Sequence, residues 1–201
     1  SSGIPLYDYH YTFSLSFADL DTDGDQDTVM AWDYSADETI FSDNVGGSFG
    51  NALLPTNLTQ PTQAHTVAAG DFDNDGDYDL MFGLPDGTID FVRNSGTPGS
   101  ADFRSTTPYA VNDTAGTALD AGTNAQIAAV DFDGDGDLDL FVGNDAGEFV
   151  FFQNTGTPES FAFAPGVTNP FGLGNTAYSP SRPVLVDIDA DGDLDIFAVG
   201  Q

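Results

Sequence analysis

The chain has 201 residues, 40% of them hydrophobic and 17 of them Phe, so it is long enough to bury a core despite 33 acidic residues against three basic ones. A formal net charge of −30 excludes nucleic acid and anionic membrane surfaces as partners, because such ligands need Lys and Arg to displace their counterions. There is no Cys for a disulfide, no apolar run long enough to span a bilayer, and no signal-peptide pattern after Ser1-Ser2-Gly3, so the sequence is expected to be mature, processed or part of a longer chain.

Taken in chain order, the first unit predicts a strand in YTFSLSFA, an acidic loop DLDTDGDQD from Asp19, a second strand in TVMAW and a third in ETIFSDN. The second repeats this as HTVAAG, DFDNDGDYD from Asp71, LMFGL, a turn at Asp86-Gly87 and TIDFVRN. The third gives QIAAV, DFDGDGDLD from Asp131, LFVGN, a turn at Ala146-Gly147 and EFVFFQN. The fourth gives RPVLV, DIDADGDLD from Asp187 and IFAVG. Weaker fourth strands are expected around Phe49, Phe103 and Phe163. The segments LLPTNLTQPTQ, TTPYAVNDTAGT and PGVTNPFGLGNT are expected to be surface connections.

The loops recur every 52, 60 and 56 residues, which divides one domain over 1–201 into units 11–63, 64–123, 124–179 and an incomplete 180–201. Asn44, Asn94 and Asn154 recur too, each three residues after a Phe and two before a Gly. No window has a sustained helical period, and Gly and Pro together number 34. An all-β fold follows. Four antiparallel strands per unit, with the loop between the first and second, is the pattern of a β-propeller blade; about 3.6 units leave the ring incomplete in this chain.

Within each loop, carboxylates occupy positions 1, 3, 5, 7 and 9, with Gly at position 6. Alternate carboxylates gathered by a sharp turn provide the six or seven oxygens that calcium accepts. The expected ligands are Asp19, Asp21, Asp23, Asp25 and Asp27; Asp71, Asp73, Asp75, Asp77 and Asp79; Asp131, Asp133, Asp135, Asp137 and Asp139; and Asp187, Asp189, Asp191, Asp193 and Asp195. Positions 1, 3, 5 and 9 are expected to bind through side chains and position 7 through its carbonyl, giving four Ca²⁺ sites. An EF-hand is excluded because position 12 is apolar, as Met30, Phe82, Val142 and Ala198. Cys is absent and His10 and His65 lie away from the loops, which disfavours transition metals; magnesium keeps too many waters for such a cage.

The motif D-x-D-x-D-G-D-x-D followed by L-x-F-V-G and a later Gly-x-(Ile/Val)-x-Phe-x-x-Asn-x-Gly resembles the FG-GAP and VCBS repeats of integrin α-subunit propellers, bacterial surface and secreted proteins and some fungal lectins. The resemblance spans nearly the whole chain. It implies a secreted or cell-surface, calcium-stapled propeller in which the metal is structural. The first unit departs from the pattern, with Thr28 in place of Leu or Ile and no Gly in TVMAWDY.

No nucleophile with a base, and no acid–base pair independent of the loops, can be assembled, so no enzymatic activity is expected. His65 reads as structural, His10 as surface and Trp32 as core. Asn57-Leu58-Thr59 and Asn112-Asp113-Thr114 are glycosylation sequons. The expected function is an adhesion or structural assembly module whose partners are other protein subunits, surface proteins or copies of itself. The alternative is a carbohydrate-binding propeller, a lectin or an accessory domain beside a polysaccharide-degrading enzyme. Segment 194–201 is expected to pair with a strand from further blades or a neighbouring subunit, and a ring closed by residues 1–17 is the competing arrangement.

Overall fold

The computed structural model describes residues 13–32, 38–42, 44–45, 47–49, 64–97, 101–103, 108–157, 160–177 and 179–199. The first unit is a meander of β1 (Phe13–Ala18), β2 (Asp27–Trp32) and β3 (Glu38–Ser42), followed by a small ribbon of β4 (Asn44–Val45) and β5 (Ser48–Phe49). The second is a four-stranded sheet of β6 (Thr66–Gly70), β7 (Asp79–Gly83), β8 (Ile89–Val92) and β9 (Tyr109–Ala110). The third repeats it with β10 (Gln126–Val130), β11 (Asp139–Gly143), β12 (Phe149–Phe152) and β13 (Val167–Thr168). The fourth sheet has β14 (Arg182–Val186) and β15 (Asp195–Val199). All neighbouring strands in these sheets are antiparallel. The only helical segment among the described residues is a 3-10 turn at Pro170–Gly172.

The turn between β7 and β8 follows from its residues. Gly87, at φ +97°, donates its amide to the Leu84 carbonyl at 3.0 Å, and the Asp86 carboxylate accepts the Thr88 amide at 3.0 Å.

The expected fourth strands need correction. They lie further along the chain, at Tyr109–Ala110 and Val167–Thr168, inside segments read as surface connections. Phe103 and Phe163 are buried plugs instead: each follows an excursion that folds back on Asn94 or Asn154 and drops a ring between sheets. Apolarity there marked core rather than strand. Around Phe49 the chain does pair, but as the separate β4–β5 ribbon. Residues 1–12, with His10 and the segment IPLYDYH, and LLPTNLTQPTQ with its sequon lie outside the described residues.

The core sits between sheets rather than within any one of them, because the central strands are buried on both faces and their side chains alternate. From β7, Leu80 and Phe82 pack towards the first sheet with Ala18, Leu20 and Val29, whereas Met81 packs towards the third. Leu140 and Val142 of β11 face the second sheet, and Phe141 faces the fourth. Gly83 and Gly143 end β7 and β11 at equivalent places. A Cβ at either would overlap a backbone carbonyl of the next unit, that of Ala125 or of Ser181, so the recurring glycine is a close-approach residue.

The first strands β1, β6, β10 and β14 pack in succession around a common axis. Hydroxyls stitch them: the Ser16 Oγ accepts the Ala69 amide at 3.0 Å, and the Thr66 Oγ1 donates to the Ala125 carbonyl at 3.0 Å. They enclose an open axial cavity of about 370 Å³ lined by Ser14, Thr66, Gln126 and Arg182 among others. The four units form an arc of blades, and the ring does not close among the described residues. There β15 pairs with β14 alone.

Candidate metal centres

Each acidic loop is the tip of the hairpin between the first and second strands of its unit. The register places position 9 opposite the residue before position 1, as in Ala18 with Asp27, Gly70 with Asp79, Val130 with Asp139 and Val186 with Asp195. The first and last carboxylates of the loop therefore meet at its mouth.

The loop between them is curled by its own carboxylates. Position 1 accepts the position 6 amide in every copy: Asp19 from Gly24 at 3.0 Å, Asp71 from Gly76 at 3.1 Å, Asp131 from Gly136 at 3.1 Å and Asp187 from Gly192 at 3.0 Å. Position 5 accepts the position 7 amide, from Asp25, Asp77, Asp137 and Asp193, at 2.9 to 3.0 Å. Two residues per loop adopt left-handed backbone. The glycines at position 6 have φ between +94° and +97°, as expected for residues without a Cβ. Position 4, filled by Thr22, Asn74, Gly134 and Ala190, is also left-handed; Asn and Gly tolerate this, whereas Thr22 and Ala190 are strained.

This folding gathers three carboxylates per loop, with ligand atoms within 4.8 Å of one another: Asp19, Asp21 and Asp27; Asp71, Asp73 and Asp79; Asp131, Asp133 and Asp135; and Asp187, Asp189 and Asp195. Positions 1 and 3 take part every time, position 9 in three loops and position 5 in the third. The carboxylates of Asp23, Asp75 and Asp191 at position 5, of Asp139 in the third loop, and of Asp25, Asp77, Asp137 and Asp193 at position 7 lie outside these groups.

Position 9 is more than a ligand candidate. Its Oδ1 accepts a backbone amide from the recurring asparagine: Asn44 to Asp27 at 2.9 Å, Asn94 to Asp79 at 2.7 Å and Asn154 to Asp139 at 2.7 Å. The asparagine side chain then ties the excursion after the third strand, since Asn94 Oδ1 accepts the amides of Gly96 and Asp102 at 3.0 and 2.9 Å, and Asn154 Oδ1 those of Gly156 and Ala162 at 3.1 and 2.9 Å. Sequence reading aligned these asparagines without assigning them a role; the spacing of 15 residues from position 9 in the second and third units was the available signal.

The other position 9 oxygen accepts the position 2 amide in three loops, from Leu20, Phe132 and Ile188 at 3.0, 3.1 and 3.2 Å. In the second loop, Asp79 Oδ2 is buried without a hydrogen-bond partner, as is Asp73 Oδ1. Burial, offset in part by the Asn94 amide, pushes Asp79 up to about 8, and burial likewise raises Asp139 to about 6. Asp73 is raised by burial and then by the neighbouring Asp75 charge. Buried carboxylate oxygens without a partner, crowded by like charges, are costly unless a cation joins them. An all-oxygen, all-carboxylate donor set suits a hard divalent ion such as calcium.

A profile of the FG-GAP-like repeat matches residues 19–82 and 131–198, and each match begins at position 1 of a loop and ends in the strand after the next loop. The chain belongs to the FG-GAP-like repeat family. The two FG-GAP matches cover well over half the sequence and together contain all four acidic loops. No curated protein matches the chain. Each FG-GAP match thus runs from one acidic loop, through the blade that follows it, to the next loop and the strand after it. Of the histidines, His65 sits apart from the loops, its Nδ1 2.6 Å from Asn124 Oδ1 at the junction of the second and third blades.

Proposed function

We propose that the chain is a calcium-stapled, non-enzymatic propeller module of a secreted or cell-surface protein, acting in adhesion or structural assembly. The observation that carries this reading is the recurrence of one carboxylate cluster at four equivalent hairpin tips, with buried oxygens of Asp73 and Asp79 left without a partner. Positions 1, 3 and 9 serve as side-chain ligands, position 5 joins them, and position 7 contributes its carbonyl. Weak calcium sites fill at extracellular concentrations, which fits a role outside the cell. Where four cations bind, eight positive charges bring the formal charge from −30 to −22 and remove the repulsion inside each loop.

Partners are other proteins, including copies of this chain. Val184, Val186, Phe197 and Val199 on the fourth blade and Leu15 and Phe17 on the first are exposed apolar side chains at the two ends of the arc. A sheet of the same kind is the surface that would cover them.

Calorimetric titration of metal-stripped protein with calcium tests the central claim. About four equivalents of calcium are expected to bind, with a rise in melting temperature that grows with calcium concentration. Absence of binding heat together with an unmoved melting curve overturns it.

A further inference from the structure

The four loops have the same acidic pattern but unequal surroundings. Arg93 directly follows the third strand of the second blade, immediately before Asn94. Its Nε lies 2.8 Å from Asp73 Oδ2 and its Nη2 2.7 Å from Asp75 Oδ2, so one guanidinium clamps positions 3 and 5 of the second loop. At the same place in the third blade stands Gln153, whose Nε2 donates to Asp133 Oδ2 at 2.7 Å. One architecture therefore holds position 3 with a positive charge in one blade and a neutral amide in the next.

The clamp takes the outer oxygen of Asp73 and leaves Oδ1 buried and without a partner, alongside the fully buried, unpartnered Oδ2 of Asp79. These two oxygens are an observation separate from the acidic cluster itself, and they point to an inner ligand that Arg93 does not replace. Arg93 acts on that ligand in two opposed ways. It orders the loop before a cation arrives, and it repels the cation once bound. The Arg93 side chain is 49% exposed, and an exposed ion pair contributes little to ordering. At low ionic strength, a unit charge about 6 Å from where a divalent ion would sit lowers affinity roughly tenfold even at the dielectric of water. Repulsion wins.

We infer that Arg93 is a tethered cation that sets the second loop apart as the weakest divalent site of the four. The inference rests on the calcium reading above and adds that the sites are graded, with blade two releasing its ion first as calcium falls.

Terbium luminescence excited through tyrosine tests it in the intact chain. Tyr78 occupies position 8 of the second loop, where the others carry Gln26, Leu138 and Leu194, and Tyr109 is close enough to feel the charges of Asp79 and Asp73. The signal lost in a Y78F/Y109F variant is the second loop's own. At low ionic strength, Arg93→Gln is expected to move the midpoint of that signal, and of its displacement by calcium, to roughly tenfold lower metal concentration. Arg93→Lys is expected to stay within about threefold of the parent, because the charge remains. Gln153→Arg is expected to weaken one further site in calcium calorimetry. An unchanged or higher midpoint in Arg93→Gln, with calcium still bound elsewhere, overturns this inference alone; no binding by any variant overturns the calcium reading with it.

Discussion

Asn94 offers the sharpest test of how a blade is held together. It is buried, its Oδ1 accepts two amides, and its Nδ2 donates to the carbonyls of Leu20 and Tyr78, each at 3.2 Å. The Leu20 bond crosses from the second blade into the loop of the first. Asn94→Ala deprives two N–H groups and two C=O groups of their partner while leaving the backbone bond to Asp79 possible. Tyr78 is exposed and Gly96 and Asp102 are half-buried, so about half of the four groups regain water; the rest cost about 1–3 kcal/mol each. The expected loss is about 2–6 kcal/mol, a large share of the ~5–15 kcal/mol typical of a domain. For a chain of this length that lowers the melting temperature by roughly 4–24 °C in saturating calcium, read by circular dichroism or calorimetry. Asn94→Asp keeps the shape and the acceptor, loses both donors and adds a charge beside Asp79, so it should be at least as damaging. A melting curve for Asn94→Ala within about 2 °C of the parent, or a mild Asn94→Asp, would refute the argument that the asparagine acts through its hydrogen bonds.

Two other outcomes follow from the same geometry. Burial raises Asp79 and Asp139 above their unfolded values, so the metal-free folded chain holds protons that the unfolded chain has lost between about pH 4 and pH 8, and its stability should fall as pH rises through that window. Saturating calcium, which binds the ionised carboxylates, should reverse the slope; a metal-stripped protein that melts higher at pH 7.5 than at pH 5 would contradict this. Phe197→Asp, on the exposed face of the last blade, should reduce self-association or partner capture measured by light scattering without lowering calcium stoichiometry, and unchanged association would remove that face from the interface.

Much of the blade was legible in the sequence because its inner strands carry strong local signals. The strands expected in HTVAAG, QIAAV and RPVLV end where the structure ends them, because each abuts an acidic loop that cannot be buried. The outermost strands were missed for a physical reason. Tyr109–Ala110 and Val167–Thr168 are only two residues long and exposed, and they are held by backbone pairing to β8 and β12 rather than by any apolar pattern of their own. The acidic positions were visible as a set, but which of them converge depends on the left-handed turns at Thr22, Asn74, Gly134 and Ala190, and only Asn74 and Gly134 are residue types that announce such a turn. Arg93 and Gln153 carried no signal at all, since their partners lie 18 and 20 residues away and meet them only once the sheet has formed.

The placement of apolar side chains between sheets makes the domain behave as a row of coupled units rather than a single cooperative block. The second and third blades share an extensive interface built on Phe72, Met81, Phe91, Leu140, Phe152 and Phe163, whereas the junction of the third with the fourth has only Phe141, Phe149 and Phe151 in its buried cluster among the described residues. Opening should therefore begin at the fourth blade and travel inward, with hydrogen exchange fastest in β14 and β15 and slowest in β7 and β11. Under tension applied across it, such a row would yield blade by blade, and wherever a cation sits at a hairpin tip it would resist that step, so a calcium-loaded row would extend less readily than a metal-free one.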